Sequence, residues 1–245
     1  LQEVADAAGV LVVGDLPIYV SRDSADAWVD RSLFEFDEQG LPARVAGVPP
    51  DDFSATGQLW GNPLYDWERM ASDGYAWWVR RLQRCLSWTP VLRIDHFRAF
   101  AAYWAVPAEA ETALAGQWVP GPGLAIFQAL RDALGPQWLL AEDLGEIDAP
   151  VHLLREQAGL LCTRVLQFGF GGDPRNLHLP GNVPPDAVMY TGTHDNDTTA
   201  GWWAQAGKHE RAHVHAVLGA DVTVDGLVQA ALGSAARMVV LPMQD

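Results

Sequence analysis

The sequence predicts an α/β fold built on a parallel sheet. Two observations carry this: short apolar runs recur along the chain, and segments with helical apolar spacing lie between them. The runs cover residues 10–18, 91–97, 138–142, 164–170, 187–193 and 237–243. An unbroken stretch such as Val10-Leu11-Val12-Val13 suits a strand covered on both faces, as parallel strands are. Local signals bound the helices. Ser72 and Asp73 can cap a helix over 75–86, Gly135-Pro136 stops one over 123–134, and Pro150 suits the first turn ahead of 151–157. Residues 22–67 break the alternation. They are long, polar and turn-rich, yet Phe53, Leu59, Trp60, Tyr65 and Trp67 are too apolar for disorder, so the segment reads as an ordered insertion after the first strand. Within it a hairpin is expected, pairing 33–36 with 43–45 around Asp37-Glu38-Gln39-Gly40.

Composition narrows the function classes. The 245 residues are 49% hydrophobic and 19% charged, which suits one large domain or most of one. A net charge of -15 repels nucleic acid and anionic membrane, so neither is expected as a partner, whereas a neutral substrate is compatible. Eleven tryptophans and five tyrosines serve mainly as packing, but they could also furnish flat platforms for sugar rings. Cys85 and Cys162 have no metal-type spacing and read as packing residues in a reducing, cytoplasmic setting. No apolar run approaches the roughly 20 residues of a membrane span. The chain opens inside a helical pattern, so further residues are expected ahead of Leu1.

Polar residues gather just after the apolar runs: Asp15 after the first; Arg93, Asp95 and His96 at the second; Glu142 and Asp143 at the third; His194, Asp195, Asn196 and Asp197 after the fifth. Singly, such residues are helix caps or turn residues. Together at the C-terminal ends of parallel strands, they mark the rim where barrel enzymes place their sites. Arg93 and Asp95 are two apart and so share a strand face. An arginine there orients a carboxylate and favours its charged form, as a nucleophile requires, although a structural ion pair would look the same. Glu142 ends Trp138-Leu139-Leu140-Ala141, an apolar wall of the kind that raises a carboxyl pKa for general acid work. Carboxyls on neighbouring strands can flank one glycosidic bond, about 5–5.5 Å apart in retaining enzymes.

Three blocks make a specific match: Arg93-Ile94-Asp95-His96-Phe97-Arg98, Ala141-Glu142-Asp143-Leu144-Gly145, and Tyr190-Thr191-Gly192-Thr193-His194-Asp195-Asn196-Asp197. They resemble conserved blocks of the amylomaltases, glycoside hydrolase family 77. Gly14-Asp15-Leu16-Pro17 resembles that family's third barrel strand, and the segment from Gly47-Val48-Pro49-Pro50 to Gly61-Asn62-Pro63 its substrate-covering loop. The resemblance implies a (β/α)8 TIM barrel. This chain would be a fragment lacking the first strands, with a long insertion after the third. It implies a 4-α-glucanotransferase that moves α-1,4-glucan segments from a maltooligosaccharide donor to an acceptor 4-hydroxyl, with no cofactor and no metal. Asp95 is similar to the nucleophile, Glu142 to the acid/base and Asp195 to the third carboxylate. Arg93 would position Asp95. Asp15, Phe53, Trp60, His96, Asp143 and His194 would contact substrate. Two departures stand out: Asp52 replaces a tyrosine, and Leu161-Cys162-Thr163 replaces a Pro-Gly-Met run. Rival readings are an α-glucan hydrolase, a metal-dependent hydrolase using His96, His194, Asp195 and Asp197, and a non-catalytic glucan-binding protein.

Overall fold

The computed structural model describes residues 2–51 and 54–245, in two units, Leu1–Leu160 and Leu161–Asp245. In the first unit, β1 (Val13–Pro17), β4 (Val91–Asp95) and β7 (Trp138–Ala141) form a parallel sheet in the order β1-β4-β7. Strict alternation along these strands sorts their side chains. Leu16, Leu92 and Ile94 point into the core with Ala141, against Trp78, Leu82, Ile126, Leu130 and Val151. Those partners sit on the helices Ala76–Leu86, Leu124–Leu134 and Ala149–Ala158 that follow the strands. Asp15, Arg93 and Asp95 occupy the alternate positions and so take the opposite face. Gly14 lies on the core side, where a Cβ would come within 2.4 Å of Thr89 and 2.6 Å of Leu92, so close packing of β1 on β4 requires glycine there.

The helix signals act as expected, with one division of labour. Asp73 accepts from the Ala76 N–H at 3.1 Å, while the Ser72 hydroxyl turns back to the Arg69 carbonyl at 2.7 Å. Gly135 (φ 74°) and Gly159 (φ 74°) end their helices in conformations that disfavour a Cβ.

The insertion departs from expectation. Its strands β2 (Arg44–Val48) and β3 (Gln58–Pro63) join β5 (Ala102–Pro107) and β6 (Gln117–Pro120) in an antiparallel sheet ordered β3-β2-β5-β6. The hairpin expected over 33–36 and 43–45 reduces to one bridge, Phe36 to Pro42. Phe34 bridges Tyr65 instead, and Arg31–Leu33 is a 3-10 turn. The apolar face of β2 finds a larger partner in β5, with Val45 packing on Val106 and Ala113, than residues 33–36 could offer. Two side chains of this region and one of the helix Ala76–Leu86 hold the end of β1. The Tyr65 hydroxyl donates to the Ile18 carbonyl at 2.6 Å, Arg81 donates to the Pro17 carbonyl at 2.8 Å, and Asn62 donates to the Val20 carbonyl at 2.9 Å.

In the second unit, β8 (Cys162–Val165), β9 (Ala187–Tyr190) and β10 (Met238–Val240) form a parallel sheet in the order β10-β9-β8. The strand expected over 164–170 begins earlier, at the buried Cys162. Its second half, Leu166–Gly169, coils into a 3-10 turn. The sheet packs Cys162, Ala187 and Met189 against Val214, Leu227 and Ala231 of the helices Lys208–Leu218 and Val224–Leu232. Among the described residues, no helix is long and apolar enough to cross a membrane.

Candidate active site

Parallel pairing in the first unit places the polar residues in rows. Asp15 lies opposite Arg93 and Pro17 opposite Asp95, while Ala141 lies opposite Ile94, so Glu142 follows at the level of Asp95. The Glu142 N–H donates to the Ile94 carbonyl at 3.0 Å, and the Phe97 N–H donates to the Glu142 carbonyl at 3.1 Å. The two carboxylates thus stand on adjacent strand ends of one sheet face. Arg93 joins its neighbours there. Its Nη1 lies 2.8 Å from Asp15 Oδ1 and 2.9 Å from Asp95 Oδ1. The guanidinium is buried, whereas both aspartates stay about half exposed. Burial works against the charge on Arg93. The hydrogen bond and charge of Asp15, with the charges of Asp95 and Glu142, outweigh that, and the Arg93 pKa is raised.

Glu142 has a different environment. Burial pushes its carboxyl up to about 7, and the nearby Asp95 and Asp143 charges add to the rise. Arg93 and a hydrogen bond from the His96 backbone oppose it. That bond runs from the His96 N–H to Glu142 Oε2 at 2.8 Å. His96 achieves this aim in a left-handed conformation, φ 53° and ψ 48°, a strained choice for a residue with a Cβ. Its imidazole is buried, and burial, aided by the Arg98 charge, lowers the pKa to about 3, so the ring is neutral at ordinary pH. The edge of Trp60 meets it at 4.7 Å between ring centres, and Trp60 also meets Tyr19 at 6.2 Å. Trp60 remains 37% exposed, which leaves part of the indole for a ligand. Chemically, the row offers one carboxylate bound to arginine and one carboxyl that is half protonated near neutrality. That is the pairing required for nucleophile and general acid.

In the second unit, the turn after β9 carries His194 and Asp195, which are 67% and 75% exposed in their side chains and 3.5 Å apart. The backbone beneath them is fixed. Asn196 Oδ1 accepts from the Thr193 N–H and hydroxyl, both at 2.9 Å, and the Thr193 hydroxyl accepts from the Asp195 N–H at 3.2 Å. Gln167 holds the Asp197 carbonyl at 3.0 Å, and the Asp197 carboxylate accepts from Gln205 at 3.0 Å. Asp245 accepts from the Thr199 N–H at 2.7 Å, the Thr199 hydroxyl at 2.6 Å and the Thr191 hydroxyl at 2.5 Å.

Asp15, Trp60, Arg93, Asp95, His96 and Glu142 therefore cluster in the first unit, and His194 and Asp195 share a turn of the second. Asp143 points elsewhere. Its side chain is fully buried against Arg155 at 3.7 Å, so no surface remains for a substrate. The expected contact at Phe53 and the departure at Asp52 lie outside the described residues. Among the described residues, no group of three or more His, Cys, Asp and Glu could hold a metal ion. Two residues give no sequence signal of a role. Tyr19 backs Trp60, and Asp245 follows the last strand as an unremarked acid. Only threonines on both sides of the His194-Asp195 pair could have hinted at the partners of Asp245.

Known proteins resemble the chain in sequence and fold. The 4-alpha-glucanotransferase of Solanum tuberosum, chloroplastic/amyloplastic, is 46% identical over 100% of this chain and 43% of its own length. The 4-alpha-glucanotransferase of Thermus thermophilus is 45% identical over 100% of this chain and 51% of its own length. The chain thus spans about half the length of these curated relatives. Among solved structures, the amylomaltase of Streptococcus agalactiae, in complex with acarbose, superposes with a TM-score of 0.96 at 33% identity, covering 99% of this chain and 50% of that one. The 4-alpha-glucanotransferase family model matches residues 1–245, and with the row of carboxyls described above it establishes that the chain belongs to that family.

Proposed function

We propose that the chain forms part of the catalytic (β/α)8 barrel of a 4-α-glucanotransferase. In this reading β1, β4, β7, β8, β9 and β10 are the third to eighth barrel strands, and residues 22–67 are a subdomain inserted after the third. The substrates are α-1,4-glucans and maltooligosaccharides, as donor and as acceptor. Asp95 is the nucleophile and Glu142 the acid/base. Asp195, by the resemblance of its motif, is the third carboxylate that grips sugar hydroxyls. Arg93 positions Asp95. Asp15, Trp60, His96 and His194, and by motif alone Phe53, are assigned to substrate contact by the resemblance of their motifs, and the setting is cytoplasmic.

One observation carries the reading: a carboxyl held near pKa 7 stands beside a carboxylate bound to arginine, at the ends of adjacent parallel strands. Glu142 gives its proton to the glycosidic oxygen as Asp95 attacks the anomeric carbon, forming a β-glucosyl ester. Glu142 then takes the proton of an incoming 4-hydroxyl, whose oxygen displaces Asp95 and restores the α-linkage. Water in that second step would give hydrolysis. The partly exposed Trp60 beside His96 favours a sugar acceptor, because a flat indole holds a ring and excludes water. The full-length enzyme, given maltotriose, should release glucose and build a ladder of longer oligosaccharides. Glucose and maltose alone would overturn the transfer assignment. Asp95→Asn and Glu142→Gln should each lower turnover about 10²–10⁴-fold while the folded spectrum is kept. An Asp95→Asn enzyme near full activity would remove Asp95 as nucleophile.

A further inference from the structure

The turn that carries His194 and Asp195 leaves the end of β9 at Thr191 and enters the helix Thr199–Gln205 at its first residue. Both threonines are fully buried. One carboxylate spans them. Asp245 Oδ1 takes the Thr199 N–H, and Oδ2 takes both hydroxyls. Asp245 can do this because β10 pairs with β9 in parallel, Val240 opposite Tyr190, so the chain leaving β10 emerges at the same strand ends. The His194 and Asp195 side chains meanwhile project to solvent, 67% and 75% exposed and 3.5 Å from each other. The arrangement is a clamped base beneath free functional groups.

We infer that Asp245 is a positioning residue: its carboxylate closes the two ends of the Thr191–Thr199 turn and thereby sets where Asp195 points. The inference rests on the reading of Asp195 as the third carboxylate. Three donors converge on two oxygens that can only accept, and charged acceptors make the stronger hydrogen bonds. The carboxylate bears this out. Burial would raise its pKa, but the hydrogen bonds from Thr191 and Thr199 prevail and lower it. An asparagine could still accept from the Thr199 N–H and donate to the two hydroxyls, which can rotate to accept. Alanine can do neither.

The test is a double-mutant cycle in the full-length enzyme, read as maltotriose disproportionation. Asp245→Ala should lower kcat by up to roughly a hundredfold, as misplacement of a reacting group by about 1 Å does, with KM for maltotriose changed less than threefold. Asp245→Asn should recover most of that loss. Added to Asp195→Asn, Asp245→Ala should cost nothing further, because residues acting through one group are not additive. Full activity in Asp245→Ala beside an impaired Asp195→Asn would overturn the clasp alone. Additive losses would do the same, since Asp245 would then act elsewhere. Full activity in Asp195→Asn would instead remove the reading of Asp195, and the clasp with it. Should Asp245→Ala fail to fold, Thr191→Val, which keeps the buried shape and deletes one donor, carries the test together with Asp245→Asn. A several-fold loss of kcat in Thr191→Val supports the clasp, and unchanged kcat in both variants overturns it.

Discussion

Two carboxyls only a strand apart are sent in different directions by what surrounds them. Asp95 reaches solvent and arginine, whereas Glu142 is only partly exposed and shares that arginine with two competing acids. A pH dependence with a definite sign follows. An acid must be protonated to give up its proton, so kcat/KM should fall as pH rises through about 7, the value to which burial lifts Glu142. Glu142→Gln should abolish that limb in whatever activity remains. Stability obeys the same group. Between pH 4.5 and about 7 the folded protein keeps a proton on Glu142 that the unfolded chain has lost. The group's contribution is therefore full at low pH and is lost as pH rises through the folded value. Glutamine carries no charge to bury. Glu142→Gln should accordingly raise the stability at pH 8 by on the order of 1–3 kcal/mol, seen as a higher melting temperature, and leave both unchanged at pH 4. An unchanged melting temperature at pH 8 would show that Glu142 is solvated. Asp95 and Glu142 stood out in the sequence because several strand ends carry acids at once, although one such acid alone reads as a cap or a turn residue. Asp143 shows the limit of that signal. Its neighbour's exposure is set by the backbone turn, which no local pattern records, and it turns inward to Arg155.

At the level of elements, periodicity revealed the six parallel strands and left the antiparallel sheet obscure. Strand β4 declares itself through Leu92 and Ile94 on one face and Arg93 and Asp95 on the other. Residues 102–107 follow the apolar 97–100 without a break, and the two merge into one run by eye, although the first piece is a 3-10 turn and the second is β5. The pairing of β2 with β5 joins segments from opposite sides of β4, a choice made by tertiary packing. That sheet sets β3, and β3 presents Trp60 to His96. Trp60→Ala should therefore weaken acceptor use more than donor cleavage, raising the ratio of hydrolysis to transfer several-fold. Product analysis on maltotriose reads this directly. A constant ratio would reduce Trp60 to a packing residue between Tyr19 and His96.

For the whole molecule, each unit holds a parallel sheet of three strands, and Val13 on β1 is 45% exposed. Parallel strands occur almost only where both faces are covered, and bare apolar edges invite pairing between chains. Residues 1–245 expressed alone should thus give a small monodisperse fraction on size exclusion and little or no disproportionation of maltotriose. A soluble, cooperatively folding and fully active product would overturn the assignment of these strands to positions three to eight of a larger barrel. That assignment was open to sequence reasoning only through the order of the motifs. Periodicity can count strands, but it cannot say which strand is the first of a closed ring.

The ion pair between Asp15 and Arg93 joins residues 78 apart, and most of what intervenes is the hairpin region and its approach. Closing a loop costs entropy only as the logarithm of its length, so doubling that span would cost about 0.6 kcal/mol. Insertions in the exposed turns between β1 and β4 then cost the folded state little, provided that Tyr65, Arg81 and Asn62 still reach the carbonyls of Ile18, Pro17 and Val20. Lineages can rebuild this segment without disturbing β1 and β4, and variation in length among relatives should concentrate in this span.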